Sequence, residues 1–361
     1  MKIFNANGYF VSNLAKWNKL SNRRVMPWKN EKNPYKIWLS EIILQQTRVA
    51  QGMDFYNRFV SAFPTIHELA NASETEVFKL WEGLGYYNRC KNLISTANFV
   101  SKDLKGIFPD EYDQILKLKG IGPYTAAAIS SFAFNQPFAV LDGNVFRVLA
   151  RFFGIDVPID SKRGKDIFIA LANELLDKNK PGVYNQALMD FGAVICKPQV
   201  PLCSVCPLNK HCIAFSKKIV LHLPVKEKSL VKKIRWFYYF VIENNGNFYI
   251  RKRVSKDIWE NLYEFILIES KEALALDHIH SLEEVKRVVG KSKFQVLHIS
   301  QSYKQILTHQ TIYGQFIRIK VDHLSQLENY ITATKKDLVR LPFPKLITNY
   351  LSDKNVSLNL F

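Results

Sequence analysis

Residues 116–130, LKLKGIGPYTAAAIS, decide the fold of the first half of the chain, because two helical runs meet there at a glycine turn. Gly120 and Gly122 allow the backbone to turn tightly and to approach a ligand closely. Pro123 suits the first turn of the helix that follows. The free N–H groups of that turn form a site for an anion such as a phosphate. A purely structural turn between two helices is the alternative interpretation.

The composition of the whole chain favours a polyanion as partner. A length of 361 residues indicates two or three domains, at about 150 residues each. The 47% hydrophobic and 13% aromatic content excludes a disordered chain. Lys and Arg number 50 against 32 Asp and Glu, a net charge of +18. A charge of this size attracts nucleic acid in the first place and an acidic membrane surface in the second.

The sequence also suggests where the protein resides. No stretch approaches the roughly 20 apolar residues that cross a bilayer. Residues 1–19 lack an apolar run followed by a small-residue cleavage site. We therefore expect a protein that is neither membrane-bound nor exported, located in the cytoplasm and, in a bacterium, associated with the nucleoid.

Four of the five cysteines form a compact group, Cys196, Cys203, Cys206 and Cys212, while Cys90 stands alone. Such a group in a long basic chain predicts a metal site rather than a disulfide framework. Only one pair has the tight Cys-x-x-Cys spacing that zinc sites use twice. The spacing therefore favours an iron–sulfur cluster over a zinc ion. Chance clustering of four thiols is the alternative.

Two carboxylates stand out as candidates for acid–base chemistry. Glu41 lies in PYKIWLSEIILQQT with apolar residues at helical spacing around it, and burial there would raise its pKa and make it a proton donor. Asp142 precedes the helical run GNVFRVLAR, where the helix dipole is expected to lower its pKa. A raised Glu beside an ionised Asp suits cleavage of a glycosidic bond. The alternatives are a Glu that reaches water at the edge of the apolar face and an ordinary helix cap.

Along the chain the patterning changes from helical to strand-like. Residues 35–215 show apolar spacings of three and four, which predict an all-α bundle. Residues 217–234 form a basic segment with a central Pro224, interpreted as a linker that also touches phosphates. Aromatic and β-branched runs follow, and the first two are joined through Asn-Asn-Gly, which predicts a hairpin. We therefore predict a helical region at 1–216, a linker at 217–234 and an α+β domain at 235–361.

Taken together, these segments resemble the adenine DNA glycosylase (MutY) family of the helix-hairpin-helix glycosylase superfamily. The resemblance rests on WLSEIILQQT, GLGYYNR, LKGIGPYTAAAI, LDGNVFRVLAR and the cysteine spacing, and it spans residues from about 23 to 212. IWENLYEF is similar to the family's Nudix-like domain. The resemblance implies a mainly α helix-hairpin-helix glycosylase fold with a [4Fe-4S] cluster loop, followed by a C-terminal α+β Nudix-like domain.

The resemblance also implies a reaction and a partner. The expected activity is hydrolytic removal of adenine mispaired with 8-oxoguanine or guanine, by a monomer acting on double-stranded DNA in base excision repair. Glu41 would protonate adenine N7, and Asp142 would stabilise the sugar cation, with Tyr124 and Asn144 supporting the carboxylates. The expected substrate- and DNA-binding residues are Arg24, Trp28, Gln46, Tyr86, Gly120, Gly122 and Thr308, and Cys196, Cys203, Cys206 and Cys212 would hold the cluster.

Two positions bear on the finer specificity. Endonuclease III, a close relative, carries a Schiff-base lysine where this chain has Tyr124, and a phenol cannot form an imine. Base removal without strand cleavage is therefore expected. The family commonly has Phe-Ser-His in its lesion-reading loop, whereas Leu307, Thr308 and His309 stand here. Leu307 cannot stack as an aromatic ring does, so discrimination of 8-oxoguanine is less secure than adenine excision, and a plain turn is the alternative.

Two other functions compete with this one, and a third, a catalytic Nudix hydrolase, fails on the sequence. A catalytic Nudix hydrolase needs a run that ends in Arg-Glu and a Glu pair, and the pair Glu283–Glu284 has no Arg-Glu before it. A non-catalytic iron–sulfur protein that binds DNA would use the same charge, hairpin and cysteines. A bifunctional glycosylase acting on oxidised pyrimidines is the enzymatic alternative.

Overall fold

The structure is a computed structural model that describes residues 5–227, 232–274, 276, 285–286, 289–290, 292–321, 327–353 and 356. The chain divides into two compact units. The first comprises residues 1–71 and 92–229, and the second comprises residues 72–91 and 230–361. The second unit is therefore discontinuous in sequence.

Twelve helices precede the sheet in the described part of the chain. Their bounds are α1 Ala6–Leu20, α2 Pro34–Leu44, α3 Val49–Ala62, α4 Ile66–Asn71, α5 Glu74–Trp81, α6 Tyr87–Lys102, α7 Tyr112–Leu116, α8 Pro123–Phe134, α9 Gly143–Phe153, α10 Lys162–Leu175, α11 Pro181–Val194 and α12 Ile213–Ser216. The predicted helical character of residues 35–215 is confirmed. All of these helices except α5 and the beginning of α6 belong to the first unit.

Helices α2 and α9 show how the sequence positions the site. Helix α2 begins where the Asn33 side chain accepts hydrogen bonds from the first-turn N–H groups, and almost all of its residues are buried. Helix α9 begins at Asp142 and ends at Gly154, whose left-handed φ of 66° suits glycine. Its stripe of Val145, Val148 and Leu149 faces the core, as the helical spacing predicts.

Helix α1 falls within the helical region predicted at 1–216, although no specific pattern was assigned to it, and it completes this core. Phe10, Leu14 and Trp17 are buried against the stripe of α9 and the inner face of α11. The ring of Trp17 meets Phe191 of α11 edge-on, with centroids 5.0 Å apart. The Asn5 side chain begins the helix by accepting a hydrogen bond from the Gly8 N–H.

The second unit is built on a seven-stranded sheet within the described residues. Its strands are β1 Lys233–Asn244, β2 Asn247–Lys252, β3 Tyr263–Ser270, β4 Phe294–Ile299, β5 Tyr303–Ile306, β6 Gln310–Val321 and β7 Ile331–Thr334, followed by α13 Lys335–Arg340 and α14 Lys345–Leu351. The order is β4-β6-β1-β3-β2-β7, and β5 pairs with β6. The predicted α+β class and the β1–β2 hairpin through Asn245 and Gly246 are confirmed.

The centre of this sheet is a parallel pair. Strands β1 and β6 run in register from Lys233 opposite Gln310 to Glu243 opposite Lys320. The remaining pairs are antiparallel. Half of the residues in each strand are buried and few are exposed, which suits the middle of a sheet.

Residues 72–91 join the second unit through its C-terminal segment. The Glu82 carboxylate accepts a hydrogen bond from the Phe343 N–H at 2.8 Å, and Lys79 donates to the Leu341 carbonyl at 3.1 Å. Residues 217–227 of the predicted linker belong to the first unit, where the Ile159 N–H donates to the Val225 carbonyl. Residues 228–231 lie outside the described residues, so the domain boundaries at 216 and 235 stay a prediction. No described helix is long and apolar enough to span a bilayer.

Candidate active site

A cavity of about 370 Å³ in the first unit is lined by seven of the eleven predicted catalytic and substrate- or DNA-binding residues. A volume in this range suits a small organic ligand such as a nucleoside. Helices α2, α8, α9 and α11 and the loop before α2 supply most of its walls. The predicted residues that line it are Arg24, Trp28, Glu41, Gln46, Tyr124, Asp142 and Asn144.

Glu41 is a buried acid in this cavity. It lies on the inner helix α2 and is only 4% exposed. Burial raises the pKa of its carboxyl to about 7, the negative charge of Asp142 adds to the rise, and a hydrogen bond with Tyr124 opposes it. Glu41 is therefore about half protonated near neutral pH, the state that a general acid needs.

Asp142 caps helix α9 on the same cavity. Its Oδ1 accepts from the Val145 N–H at 2.7 Å, and its Oδ2 accepts from Asn144 Nδ2 at 2.6 Å. The sequence argument predicted a lowered pKa, and that prediction is wrong. Burial raises the pKa of Asp142 above its ordinary value, although these two donors and the charge of Arg147 favour the ionised form and limit the rise.

Asn144 is held at both ends of its amide. Its Oδ1 accepts from Arg147 Nη2 at 2.8 Å, while its Nδ2 donates to Asp142. Arg147 also donates from Nε to the Cys196 carbonyl at 2.7 Å. Sequence reasoning missed Arg147, although a charged residue within the apolar stripe of LDGNVFRVLAR is a signal of a buried hydrogen-bonded role.

The hairpin glycines lie outside the lining of the cavity. Gly120 has a left-handed φ of 81°, and a Cβ there would come within 2.7 Å of the Asn92 Cβ. Gly122 caps α8, whose first N–H groups receive no side-chain cap, and a Cβ at Gly122 would meet nothing within 4 Å. The start of α8 therefore has the open N–H groups that an approaching anion requires.

Gln46 and Tyr86, two of the expected substrate- and DNA-binding residues, share an unusual backbone conformation. Gln46 has a φ of 57° and Tyr86 a φ of 50°. Bulky residues avoid this left-handed region, and such strain concentrates at functional sites. Gln46 lines the cavity of the first unit, whereas Tyr86 belongs to the second unit. That both residues contact the same DNA substrate stays a prediction.

Tyr86 and Thr308 meet in a second cavity, which lies within the second unit and measures about 530 Å³. The hydroxyl groups of Tyr86 and Thr308 are 2.6 Å apart and form a hydrogen bond. Leu307 and His309 line the same cavity. The predicted lesion-reading loop is thus part of a cavity wall.

The four clustered cysteines line a small common cavity at the loop before α12. In the described part of the chain, no group of three or more His, Cys, Asp or Glu is arranged to hold a single metal ion. Arg151 of α9 stabilises the start of the cysteine-containing segment by donating hydrogen bonds to the Cys196 Sγ at 3.4 Å and to the Lys197 carbonyl at 2.7 Å. Cys90 is buried elsewhere.

Comparison with known proteins defines the class first. The model of the HhH-GPD superfamily of base excision DNA repair proteins matches residues 39–167, and a NUDIX domain model matches residues 238–353. A thermostable thymine-DNA glycosylase has the same fold over 59% of this chain and 97% of its own, with a TM-score of 0.55 and 30% identity. A trapped endonuclease III–DNA covalent intermediate superposes with a TM-score of 0.52 over 60% of this chain and all of that one, at 21% identity.

The sequence relatives define the family. An adenine DNA glycosylase of Buchnera aphidicola subsp. Acyrthosiphon pisum (strain APS) is 36% identical over 301 residues, which cover 81% of this chain and 85% of that relative. The chain belongs to the adenine DNA glycosylase family. The predicted fold class and family are confirmed.

Proposed function

We propose that this protein hydrolyses the N-glycosidic bond of adenine mispaired with 8-oxoguanine or guanine in double-stranded DNA. The observation that carries the proposal is the pairing of Glu41 and Asp142 in one cavity, with Glu41 half protonated near pH 7. Kinship with adenine DNA glycosylases supports adenine as the base that is removed. The charge of +18 supports DNA as the partner.

The arrangement can perform the reaction in two stages. Glu41 gives its proton to adenine N7, the bond between C1′ and N9 breaks, and its electron pair leaves with the neutral base. Asp142, held ionised by Asn144 and the Val145 N–H, stabilises the positive charge on the sugar. Water then adds to C1′, and its proton passes to the Glu41 carboxylate, which restores the acid.

Strand cleavage is not part of the proposed activity. Tyr124 occupies the position where the resemblance places a Schiff-base lysine, and its hydroxyl is hydrogen-bonded to Glu41. A phenol offers no amine for an imine. We therefore favour a monofunctional glycosylase over the bifunctional alternative. We also propose that the protein acts as a monomer.

The cavity of Tyr86 and Thr308 is proposed to read the base opposite adenine. The Thr308 hydroxyl can donate to or accept from an oxidised guanine. A Leu at 307 removes the aromatic stacking of the usual loop, so we expect weaker preference for 8-oxoguanine over guanine than the family motif provides. The Nudix match describes this fold, and the Glu283–Glu284 pair lies outside the described residues.

A [4Fe-4S] cluster is the proposed occupant of the cysteine cavity. The four thiols line one cavity, and their spacing, with a single Cys-x-x-Cys pair, suits an iron–sulfur cluster better than zinc. When bound, the cluster would supply structural bracing for Cys196, Cys203, Cys206 and Cys212. Visible absorption with iron and sulfide in the purified protein is expected, and zinc without such absorption would contradict the assignment.

A glycosylase assay over a panel of mispairs tests the function. We expect adenine release opposite 8-oxoguanine and guanine, and an intact strand that breaks only after alkali. Strand breaks before alkali would support the bifunctional alternative. Binding to the duplex without release of any base would support the non-catalytic one.

A further inference from the structure

Glu82 is a carboxylate of the second unit to which the reaction described above assigns no role. It directly follows α5, and its side chain is only 18% exposed. Its Oε1 accepts from the Phe343 N–H at 2.8 Å. Its Oε2 accepts from Lys79 Nζ at 2.9 Å, and the same ammonium group donates to the Leu341 carbonyl at 3.1 Å. Glu82 is therefore bonded, directly and through Lys79, to the segment between α13 and α14.

Phe343 gives this carboxylate a fixed partner. Phe343 is 0% exposed, and its ring stacks on the ring of Phe265 in β3 with centroids 5.9 Å apart. The Tyr263 N–H at the start of β3 donates to the Pro342 carbonyl at 2.8 Å. The N–H group that Glu82 binds is therefore held in place by the sheet of the second unit.

The turn that follows Glu82 has a strained backbone. Gly83, Gly85 and Tyr86 have left-handed φ values of 90°, 79° and 50°. Within the turn, the indole N–H of Trp81 donates to the Gly85 carbonyl at 3.0 Å. A left-handed tyrosine costs conformational energy and persists only where the surrounding structure holds it. Glu82 bonds the beginning of this turn to the sheet, and Tyr86 is its last residue.

We propose that Glu82 is a positioning residue, which holds turn 83–86 against the Phe343 N–H and so sets where the Tyr86 ring meets DNA. Tyr86 is 46% exposed and therefore accessible to a ligand. A ring on a turn that is already held loses less conformational entropy on binding than a ring on a loose turn. The inference rests on the proposed function, in which Tyr86 contacts the DNA substrate.

A double-mutant cycle with Tyr86 tests this role, because a residue that acts through Tyr86 loses its effect once the ring is gone. Wild type, Glu82→Ala, Tyr86→Ala and the double variant are titrated by fluorescence anisotropy against one labelled duplex. The duplex carries 8-oxoguanine opposite 2′-fluoro-2′-deoxyadenosine, whose electron-withdrawing fluorine destabilises a sugar cation and so prevents cleavage. We expect Glu82→Ala to bind about 3- to 10-fold more weakly than the wild type, and to add at most about a twofold loss to Tyr86→Ala.

Glu74→Ala is the matched control. Glu74 of α5 pairs with Lys252 of β2 at 3.4 Å, so it also joins α5 to the sheet. Both alanine substitutions remove one negative charge, which by itself favours DNA binding. Only the loss of Glu82 is expected to weaken the affinity.

Two further substitutions at Glu82 separate positioning from folding. Glu82→Gln keeps an oxygen for the Phe343 N–H and should retain most of the wild-type affinity. Glu82→Asp keeps the charge, but its side chain is one methylene shorter, so it should bind as weakly as Glu82→Ala. Glu82→Asp also replaces Glu82→Ala in the cycle if the alanine variant does not fold, and thermal melts report any loss of stability.

The outcomes separate the inference from the proposed function. If the wild-type protein releases no adenine in the mispair assay, the proposed function fails, whereas the cycle on the uncleaved duplex still tests the inference. Equal losses from Glu82→Ala with and without the Tyr86 ring would show a purely structural role and overturn the inference. Wild-type affinity in a folded Glu82→Ala or Tyr86→Ala would overturn it as well.

Discussion

The burial of the Glu41 side chain is expected to set the pH range of the reaction. Because the pKa of its carboxyl is about 7, the protonated acid disappears as the pH rises through neutrality. We expect the single-turnover excision rate to fall about tenfold per pH unit well above pH 7. At low pH the rate should fall as Asp142 gains a proton, above the ordinary Asp range, because burial raises its pKa.

The Glu41→Gln variant provides the control for this profile. An amide cannot donate a carboxyl proton, so excision should collapse while duplex binding persists. Equal loss of binding and excision would show that Glu41 is structural.

The same variant makes a prediction about stability. The folded pKa of Glu41 lies above its ordinary value of 4.5, so the unfolded chain releases its proton first and stability is lost as the pH rises from 4.5 to 7. The cost reaches roughly 3 kcal/mol by pH 8. Glu41→Gln should therefore melt at a higher temperature than the wild type at pH 8, and the difference should vanish near pH 4.5. An equal or lower melting temperature at pH 8 would contradict the burial argument.

At this scale the sequence predicts residue types better than their partners. Glu41 could be identified from the sequence as a candidate general acid, because a lone acid on an apolar helix face has few structural uses. Arg147 was missed, because its role depends on contacts with Asn144 and with the distant Cys196 carbonyl. The direction of the Asp142 pKa was mispredicted, because the helix cap is visible in sequence whereas the depth of burial is not.

At the scale of elements, the two hairpin glycines are expected to differ, because Gly120 is required by the backbone conformation whereas Gly122 is proposed to leave room for an anion. Ala at Gly120 must adopt a φ of 81° and contact Asn92, so Gly120→Ala should lower stability by about 1–2 kcal/mol or more. Ala at Gly122 meets no protein atom, so the melting temperature should be unchanged.

The effects on DNA binding should be the reverse of the effects on stability: Gly122→Ala, which keeps its stability, is the variant expected to lose duplex affinity. A methyl group at Gly122 obstructs an anion that approaches the start of α8, and duplex affinity should fall about tenfold. Fluorescence anisotropy with a labelled duplex measures this loss. If Gly122→Ala binds as the wild type does, the turn has only a structural role.

Elements with a regular period were predictable, and elements defined by distant partners were not. The stripe of α9 and the β1–β2 hairpin follow from local spacing and turn residues. Strand β3 was not predicted individually. Helix α1 was predicted only as part of the helical region at 1–216, because it carries its apolar residues among Asn and Lys and is stabilised by packing on α9 and α11. The parallel pairing of β1 with β6 joins residues far apart in sequence, and no local pattern encodes it.

At the scale of the whole molecule, the charge of +18 predicts how DNA binding depends on salt. Each phosphate contact contributes about −0.9 to the slope of log affinity against log salt, so four contacts would give roughly a 150-fold loss between 50 and 200 mM NaCl. Anisotropy titrations over this range measure the slope, and single-turnover excision at saturating protein is the control, since it should change little. A flat response would contradict binding through the basic surface.

The second unit draws on two separate parts of the chain, residues 72–91 and 230–361. During translation, the ribosome makes residues 72–91 long before strands β1 and β6 exist. A nascent or truncated polypeptide that stops near residue 227 therefore contains a segment whose partners are missing, because Lys79 and Glu82 hydrogen-bond to the backbone of Leu341 and Phe343. Fragments cut at the start of β1 should be aggregation-prone, so excising residues 72–91 together with the C-terminal part is the better strategy for isolating the helical half.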